Sequence, residues 1–406
     1  MENFAEYITE QKNTHMTHIE DKVLYGGVKG TREAIFALRA LRDMLSGKSN
    51  SALSTKWDGA PAIFCGEDPN DGEFFVAKKG IFAKNPKIYK TDAEIDADMS
   101  GDLASKMKVA LAELPKLGIK GVIQGDFLYS KEDLETKTID GVKYTTFHPN
   151  TIVYAVPYEQ AEEIRKSRIG VVWHTTYSGS DFENMKASYG VDVSKFKKSK
   201  NVWSQDAMLR DVSGATMTAK ETNDVNKLLS NSGKIFQKIA GSTIRELERN
   251  QELAKLIEQY NNTFVRKGEI IPNSQKHVKG LIKWVKDKFE KEADKRKTEK
   301  GKKVQYEILK GYLDFFSQKN QKNLVMMFDL QKSIVLAKLK LINKLNSINN
   351  IDSFVQTKQG YKVTGAEGFV AIDELGGDAV KLVDRLEFSY NNFSADVLKG
   401  WDKPKR

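Results

Sequence analysis

The sequence predicts an α+β fold, a mostly antiparallel β-sheet core that is interrupted by an all-α domain. Short β-prone runs alternate with turn residues from 51 to 195, which is typical of antiparallel strands. From 205 to 350 apolar residues recur with helical spacing and proline is almost absent. β-Prone runs return at 353–390. We therefore expect four units: an N-terminal helical segment (1–50), a first part of the core (51–200), an inserted basic helical domain (201–350) and a second part of the core (351–406).

The N-terminal segment is predicted to be helical because apolar residues recur every three or four positions along one face. These residues are Ile35, Leu38, Leu41 and Leu45. Thr31 is expected to cap the start of this helix and Gly47 to end it. Gly26, Gly27 and Gly30 do not match the phosphate-binding pattern GxxxxGK[ST], so we interpret them as a turn.

Turn residues divide the two core parts into short strands, whereas the insertion consists of long helices. The first core part has predicted strands at 52–56, 62–65, 73–78, 121–129, 143–147, 151–156 and 170–177, and a helix at 102–114. The insertion has predicted helices at 220–240, 242–259, 274–300 and 320–346. Segment 324–345 is apolar on most sides and should be buried, whereas 291–303 is highly charged and should face solvent. The second core part has predicted strands at 361–364, 368–372 and 379–386, with a hairpin loop at 374–378.

The composition is that of a globular chain without a membrane segment. The 406 residues are 40% hydrophobic and 30% charged, and no apolar run reaches the ~18–20 residues of a membrane span. The polar N-terminus has the features of neither a signal peptide nor a transit peptide. Cys65 is the single cysteine, which excludes an internal disulfide, and we expect it to be buried. His15 and His18 are expected at the surface, and a reducing, cytoplasmic setting is the default.

The excess positive charge is concentrated in the insertion. The chain has a net charge of +10, and residues 201–350 alone hold 29 Lys and Arg against 17 Asp and Glu. The rest of the chain is nearly neutral. Localised positive charge attracts polyanions, so nucleic acid is the favoured partner, although a lysine-rich helical surface that only faces solvent would give the same count.

The sharpest local signal is Lys56-Trp57-Asp58-Gly59, at the end of a predicted strand. A lysine in such a position can act as a covalent nucleophile towards a positioned electrophile. Alone, the same four residues also fit an ordinary hairpin turn. Four further elements follow in the order Gly125-Asp126-Phe127, Asn150-Thr151-Ile152-Val153-Tyr154, Glu367-Gly368-Phe369-Val370 and Val380-Lys381-Leu382.

These five elements, in this order, resemble the motifs of the covalent nucleotidyltransferase superfamily, which includes ATP-dependent RNA ligases, DNA ligases and mRNA capping enzymes. The chain is most similar to phage-type ATP-dependent RNA ligases, over residues 50–180 and 360–386. The resemblance implies an antiparallel-sheet nucleotidyltransferase core (an ATP-grasp-like ligase core), with ATP and Mg²⁺ (or Mn²⁺) as cofactors. It also implies strand ends of RNA, with DNA as the alternative, as partners, and it hints at a viral repair enzyme.

Lys56 has the central role in what the resemblance implies. Its amine would attack the α-phosphate of ATP, release pyrophosphate and become linked to AMP. Asp58 and Gly59 complete this nucleotide-binding motif, and Thr55 lies where family members contact the base. Tyr154 matches the aromatic residue that stacks on the purine, although a core tyrosine would fit the same position.

The remaining motifs imply an acidic and a basic contact with the nucleotide. Asp126 and Glu367 match acids that contact the ribose or the metal, and hard oxygen ligands of this kind suit Mg²⁺. Lys381 matches a base that contacts the α-phosphate. A simpler interpretation makes Asp126 an edge-strand acid and Glu367 a solvated hairpin acid. Trp173 is a rival to Tyr154 for the stacking role.

Two phosphate contacts rest on weaker grounds. Lys78 lies where many ligases hold the 5′-phosphate of the strand to be joined, but a plain surface lysine fits there too. Pro61 stands in place of the arginine of the family pattern KxDGxR. The last motif has Val383 instead of a second lysine, and Arg385 is the candidate substitute.

Among the members of the superfamily, an RNA ligase fits this chain best. DNA ligases and capping enzymes usually continue into an OB-fold, whereas only 21 residues follow Arg385. The expected reaction joins 5′-phosphate and 3′-hydroxyl ends through lysyl-AMP on Lys56 and an adenylylated 5′ end. A minimal ATP-dependent DNA ligase, a guanylyltransferase and a catalytically silent nucleic-acid-binding protein stay open as alternatives. The sequence does not indicate an oligomeric state, and the charge of the insertion suggests a clamp on a nucleic-acid backbone.

Overall fold

The computed structural model describes residues 17–48, 52–209, 212–271, 273–348, 351–372 and 379–402, and it confirms the α+β class. The strands are β1 (Ala52–Lys56), β2 (Ala62–Glu67), β3 (Phe74–Ala77), β4 (Ile88–Tyr89), β5 (Val122–Ser130), β6 (Glu135–Ile139), β7 (Val142–Phe147), β8 (Ile152–Pro157), β9 (Ile169–Ser178), β10 (Lys186–Tyr189), β11 (Val202–Asp206), β12 (Asp352–Thr357), β13 (Gly360–Val363), β14 (Gly368–Ile372) and β15 (Ala379–Leu382). The α-helices are α1 (Lys22–Tyr25), α2 (Gly27–Leu45), α3 (Asp92–Asp98), α4 (Gly101–Glu113), α5 (Glu162–Lys166), α6 (Ala219–Lys238), α7 (Gly241–Arg249), α8 (Gln251–Val265), α9 (Ser274–Asp294), α10 (Glu299–Phe315), α11 (Gln318–Leu345) and α12 (Arg385–Phe393). The loop predicted at 374–378 and His15 lie outside the described residues.

The described strands form three sheets, and every pairing between them is antiparallel except that of β11 with β9. The largest sheet has the order β10-β9-β5-β2-β3-β4, with β11 beside β9. A second has the order β13-β12-β8-β7-β6, and the third is β1-β14-β15. The two core parts therefore meet twice, where β12 pairs with β8 and where β14 pairs with β1. Along the chain, helices α6 to α11 follow β11 and precede β12.

The N-terminal helix α2 packs against the insertion instead of forming a unit of its own. One hydrophobic core contains the buried faces of α2, α6 and α11. Leu38 and Leu41, from the predicted apolar face of α2, are buried in it. Leu53 and Phe369 bring the sheet β1-β14-β15 against the same core. We call residues 17–48 and 212–348 together the helical unit.

Helix α11 runs through the middle of the helical unit, as predicted for segment 324–345. Its buried side chains include Leu324, Phe328, Leu330, Ile334, Ala337, Leu341 and Leu345. They occupy most sides of the helix, which matches its apolar sequence. The charged segment 291–303 is mostly exposed, also as predicted.

The start of α2 differs from the prediction. The helix begins at Gly27, so Thr31 lies inside it, where its hydroxyl donates to the Gly27 carbonyl at 2.8 Å instead of capping the helix. The glycines form a tight junction between α1 and α2, not a separate turn. A Cβ on Gly26 would lie 2.7 Å from the Cα of Gly30, so the two backbones can approach only without side chains.

Side-chain caps explain three boundaries that the hydrophobic pattern missed. The predicted strand 379–386 ends early because the Asp384 side chain accepts from two backbone amides of the next turn and starts α12. Asn250 caps α8, which divides the predicted helix 242–259. Thr298 caps α10, which divides the predicted helix 274–300.

The expectation for Cys65 is also met. Cys65 is fully buried and is a free thiol. None of the described helices combines the length and the apolar composition that crossing a membrane requires.

Candidate functional site

Lys56 is the last residue of β1, and the strand register brings it next to Glu367. It pairs with Gly368 of β14, so Glu367 precedes the pairing position by one residue. The Lys56 Nζ forms an ion pair with Glu367 Oε2. The lysine side chain is 30% exposed and the glutamate 10%, so the amine is reachable from solvent while the carboxylate is largely covered.

Gly59 lets the turn after β1 lie directly on β5. A Cβ at Gly59 would lie 2.5 Å from the Cβ of Asp126 and 3.0 Å from the Phe127 carbonyl oxygen. Any side chain there would push β5 away from the turn. The glycine of the KxDG pattern therefore sets the distance between the Lys56 turn and Asp126.

Asp58 fixes the same turn to the start of β8. Its carboxylate accepts from Asn150 Nδ2 at 2.6 Å, from the Thr151 amide at 2.7 Å and from the Ile152 amide at 2.8 Å. Its own backbone amide donates to the Tyr154 hydroxyl at 2.7 Å. Asp58 is buried, and these hydrogen bonds replace the water that its carboxylate would otherwise contact.

The structure places both predicted stacking rings in the core. Tyr154 is 4% exposed, with its ring against Trp57 at 5.0 Å and against Phe147 at 5.4 Å between centroids. Trp173 is fully buried. A purine could stack on Tyr154 only if Trp57 or Phe147 moved.

His174 is the aromatic side chain that sequence reasoning missed. It follows Trp173 in β9, and alternation along the strand turns it to the opposite face. Its Nε2 lies 4.0 Å from Asp126 Oδ2, and its Nδ1 lies 2.7 Å from the Thr175 hydroxyl. The sequence contained the information needed to find His174. Of two successive residues in the strand beside Asp126, one must face the same side of the sheet as Asp126.

Lys381 is held between two chain segments. In β15 it pairs with Val370 of β14, and on its other side it forms a parallel bridge with His18. His18, expected at the surface, is partly buried here, and burial lowers its pKa to about 3, with a further lowering by Arg385. We call Lys56, Asp126, Glu367 and Lys381 the Lys56 cluster.

Burial dominates the electrostatics of the Lys56 cluster. It raises the pKa of Asp126 to about 7, against the opposing effect of Lys56. It also raises the pKa of Glu367, again against Lys56. The pKa of Lys381 is lowered by burial and by the positive charge of Lys56. The two carboxyl groups therefore hold protons more readily, and Lys381 less readily, than in water.

Arg385, three residues after β15, belongs to a second group of charged side chains. Its Nη1 lies 2.8 Å from Asp21 Oδ2 and 3.5 Å from Glu20 Oε1, and its Nη2 donates to Asn262. Lys338 of α11 donates to both carboxylate oxygens of Glu20 at 2.9 Å. We call Glu20, Asp21, Lys338 and Arg385 the Arg385 cluster. Because Arg385 is 12% exposed and engaged here, it could contact a substrate phosphate only after these bonds were broken.

Lys78 and Thr55 are the other residues that were predicted to contact the RNA or the nucleotide. Lys78 follows β3 and lies 3.8 Å from Asp98, with 30% of its side chain exposed. The charge of its neighbour Lys79 lowers the pKa of Asp126, although less than the charge of Lys56 does. Thr55 in β1 donates its backbone amide to the Ala207 carbonyl at 2.9 Å, and its side chain is partly buried.

The chain belongs to a family of unknown function (DUF6267). The family model matches residues 13–397, which include all the described strands and α-helices. No curated protein and no solved structure matches the chain. In this DUF6267 member, the interrupted core and the Lys56 cluster therefore all lie inside the matched region.

The acids of the Lys56 cluster could supply the one or two carboxylates that a Mg²⁺ ion takes from a protein. Within the described ranges, no group of three or more His, Cys, Asp or Glu side chains is arranged to hold a metal ion. Mg²⁺ usually keeps several waters and takes one or two carboxylates plus phosphate oxygens. Glu367 is paired with Lys56, whereas Asp126 makes no hydrogen bond to another described side chain. Asp126 is thus the carboxylate that would hold the metal.

Proposed function

We propose that this protein is an ATP-dependent RNA ligase with a nucleotidyltransferase core, which joins a 5′-phosphate to a 3′-hydroxyl end. The observation that carries the proposal is the pairing of Lys56 with Glu367, residues 311 positions apart, beside Asp126 and Lys381. Ion pairs of this kind also occur in purely structural settings. A reachable lysine between two acids of raised pKa and a second lysine of lowered pKa is, however, typical of a reactive site.

The first step forms a bond between Lys56 Nζ and the α-phosphorus of ATP and breaks the bond to pyrophosphate. Lys56 must lose a proton to attack, and Glu367 is in direct contact with that amine. Because burial raises the pKa of Glu367, it accepts a proton more readily than an exposed glutamate would. Lys381 supplies positive charge for the phosphates, and Mg²⁺ bound through Asp126 would neutralise the rest.

Two further steps complete the proposed reaction. The RNA 5′-phosphate attacks the lysyl-AMP, and the N–P bond to Lys56 breaks. The 3′-hydroxyl then attacks the adenylylated 5′-phosphate and expels AMP. These are phosphoryl transfers, so positioning and charge neutralisation supply most of the acceleration.

We assign the base-stacking role to His174 instead of Tyr154. His174 is 28% exposed and faces Asp126, whereas Tyr154 lies beneath Trp57. An imidazole ring offers a flat surface for a purine, as other aromatic side chains do. Burial, followed by the charge of Lys56, lowers the pKa of His174 to about 4, so its ring is neutral at pH 7.

The basic helical unit is the proposed contact for the nucleic-acid backbone. Lys297 lies exposed between α9 and α10, and Lys300 lies exposed in the first turn of α10. Each phosphate contact on a single strand contributes about 0.7 to the slope of log affinity against log salt. Affinity for RNA that did not change with salt would remove this part of the proposal.

Labelled substrate tests the proposal as a whole. The protein is incubated with ATP labelled at the α-phosphate, or with GTP labelled in the same way, plus Mg²⁺, and then run on a denaturing gel. We expect a labelled band from ATP in the wild type and in Lys78→Ala, and no band in Lys56→Ala. A band retained in Lys56→Ala would exclude the assignment, and a band from GTP alone would indicate a guanylyltransferase.

A second assay distinguishes an RNA ligase from a DNA ligase. Joining of single-stranded RNA is compared with sealing of a nick in duplex DNA. RNA joining is the expected result, whereas nick sealing alone would indicate the minimal DNA ligase. Formation of the adduct without joining of either substrate would indicate that the protein transfers the nucleotide to another, unknown acceptor. Absence of an adduct, even after pyrophosphate treatment, would favour a silent nucleic-acid-binding protein.

A further inference from the structure

The segment between β3 and β4, residues 78–87, is basic and lies at the surface. It contains four lysines and no acid, namely Lys78, Lys79, Lys84 and Lys87. The last three are exposed. We call residues 78–87 the lysine loop. A local excess of positive charge of this kind attracts polyanions.

The lysine loop begins beside the candidate active site. Strand β2 pairs Ala62 with Asp126 of β5, and it pairs Phe64 with Ala77 of β3. Continuing the second pairing by two residues brings Lys79 level with Ala62, and therefore level with Asp126. Since neighbouring strands lie about 4.8 Å apart, the backbone of Lys79 lies roughly 10 Å from that of Asp126. The charge of Lys79 lowers the pKa of Asp126, in agreement with this position.

Lys78 is turned to the opposite face of the sheet. Side chains alternate along β3, where Val76 packs into one core and Ala77 into another on the other face. Lys78 continues on the face of Val76, and its Nζ lies 3.8 Å from Asp98 Oδ2 at the end of α3. Lys78 therefore does not point towards the reacting phosphate. A phosphate in contact with Lys78 would belong to another part of the strand.

Three hydrogen-bond donors surround the carboxylate of Asp98. The Lys87 Nζ lies 2.5 Å from its Oδ1, the Tyr89 hydroxyl donates to its Oδ2 at 2.6 Å, and Lys78 completes the group. Two ammonium groups and a hydroxyl around one anion also suit a phosphate. The Asp98 side chain is 27% exposed and that of Lys87 is 67% exposed, so a ligand can reach these atoms from solvent. Hydrogen bonds from Lys87 and Tyr89 lower the pKa of Asp98, which is therefore ionised at neutral pH.

The position of Asp98 is explained by the lysine loop and not by its own helix. Asp98 is the last residue of α3. A negative side chain there meets the negative end of the helix dipole, so it does not stabilise the helix. The contact of α3 with α4 depends on a different acid, Asp96, whose Oδ2 lies 2.7 Å from Lys108 Nζ.

We propose that Lys78, Lys87 and Tyr89 form a binding site for a backbone phosphate of the RNA strand. In the free protein, the carboxylate of Asp98 occupies this site. Because both anions accept from the same donors, Asp98 weakens the binding of the strand, and the bound strand releases Asp98 to solvent. The identity of the strand as RNA rests on the proposed function, whereas the site itself rests on the contacts around Asp98.

Removal of the Asp98 charge tests this competition. Binding of a short single-stranded RNA is measured by fluorescence anisotropy, without ATP and at several salt concentrations. Asp98→Asn should bind the RNA about three- to tenfold more tightly than the wild type, the range that one or two exposed ion pairs allow. Its slope of log affinity against log salt should be steeper by up to about 0.7, the value for one more phosphate contact on a single strand.

Asp96→Asn is the matched control, because it removes the same charge from the same helix. Its RNA affinity should stay within about twofold of the wild type, since Asp96 does not contact the lysine loop. Equal gains in the two variants would show an effect of net charge alone and would overturn the proposal. RNA affinity of Asp98→Asn equal to or below that of the wild type would also overturn it.

A second pair of variants shows whether the gain depends on the proposed donors. Lys87→Met should weaken RNA binding, and Asp98→Asn in that background should lose most of its gain. Lys120→Met is the control, because Lys120 pairs with Glu67 at the other end of β2, and it should bind RNA like the wild type. The full gain in the double variant would overturn the proposal, and this test remains if Asp98→Asn alone is poorly stable.

Two further results separate this inference from the ligase proposal and from a site for free phosphate. An AMP adduct on the wild type, with no tighter RNA binding by Asp98→Asn, would overturn the inference alone. Tighter RNA binding by Asp98→Asn but not Asp96→Asn, with no adduct, would overturn the ligase proposal alone. Inorganic phosphate is titrated in parallel. A gain in Asp98→Asn for phosphate but not for RNA would contradict the assignment to a nucleic-acid strand.

Discussion

The Lys56 cluster and the Arg385 cluster contain the same types of side chain, two acids and two bases, yet their charges are arranged differently. In the Arg385 cluster the side chains are 1–12% exposed and both bases contact acids directly. In the Lys56 cluster Lys56 is 30% exposed, and Asp126 is 18% exposed with only a 4.0 Å approach to His174.

The difference separates charges that hold the fold together from charges that can react. A buried ion pair joins chain segments, here the segment of Glu20 and Asp21 with α11 and α12, and removing one partner leaves the other charge buried. A partly exposed amine beside an acid of raised pKa keeps a proton that can move. Substitutions in the two clusters should therefore change different measured quantities.

Breaking the Arg385 cluster should have the largest effect on stability. Lys338→Met leaves Glu20 buried without its principal partner, which costs about 3–5 kcal/mol of unfolding free energy in comparable buried pairs. Urea unfolding followed by circular dichroism measures the change. Lys340→Met is the matched control on the same helix, because its 3.7 Å contact with Asp224 is half exposed and contributes less than about 1 kcal/mol. Equal losses in the two variants would contradict the distinction between the clusters.

Glu367→Gln should change the rate and leave the fold intact. If Glu367 takes the proton from Lys56, adduct formation should slow by about 10²–10⁴-fold, while ATP binding persists. Raising the pH should recover part of the lost rate in this variant, because hydroxide then removes the proton. Rapid-quench measurement of adduct formation between pH 7 and pH 10 provides the test. Wild-type rates in Glu367→Gln would make Glu367 structural.

His277 shows the effect of burial without a charged partner. Its Nε2 lies 2.8 Å from Asn261 Oδ1, and burial lowers its pKa to about 4. The unfolded chain binds a proton at His277 below about pH 6.5, but the folded chain does not until about pH 4. Its contribution to stability is therefore present above pH 6.5 and is lost, by up to about 3 kcal/mol, as the pH falls towards 4.

His277→Gln tests this sign, because the amide keeps a donor for Asn261 and does not titrate. The unfolding free energy is measured from pH 7.5 to pH 4 for both proteins. The variant should lose less stability than the wild type across this range. Parallel curves would show that His277 is not responsible.

The smallest expected effects distinguish the two rings near the Lys56 cluster. Tyr154→Phe removes the acceptor for the buried Asp58 amide, which should cost about 1–3 kcal/mol of stability but leave ATP affinity unchanged. His174→Ala should weaken ATP binding by about 1–3 kcal/mol, the range for stacking of a base, with little loss of stability. Calorimetric titration with ATP and urea unfolding of each variant measure both quantities. Unchanged ATP affinity in His174→Ala would remove its proposed role.

The sequence predicts several strands of the core well because their signals are local, but it predicts no strand at β4, β6, β10, β11 or β12. The predicted limits of β1 and β14 match the structure, and those of β5 and β9 differ by only a residue at each end. Boundaries set by a single capping side chain were missed, since Asp384 and Asn250 stand inside otherwise continuous patterns. The packing of α2 against the insertion was also missed, because an apolar face does not identify its partner.

At the candidate site, too, the sequence identifies residues more readily than the contacts between them. The motif order located Lys56, Asp126, Glu367 and Lys381, which the structure brings together from distant segments. The pattern could not show that Arg385 pairs with Asp21, because that contact joins residues 364 positions apart. His174 was overlooked because a buried tryptophan precedes it, and only the face of the strand decides which of the two points to Asp126.

The central claim is that the Lys56 amine carries the nucleotide, and peptide mapping tests it most directly. The protein is incubated with ATP and Mg²⁺, digested under conditions that preserve a phosphoramidate bond, and analysed by tandem mass spectrometry. The account predicts AMP on Lys56, its loss after treatment with pyrophosphate, and no modified peptide from Lys56→Ala. AMP on another residue, or an unmodified Lys56 peptide under every condition, would contradict the account.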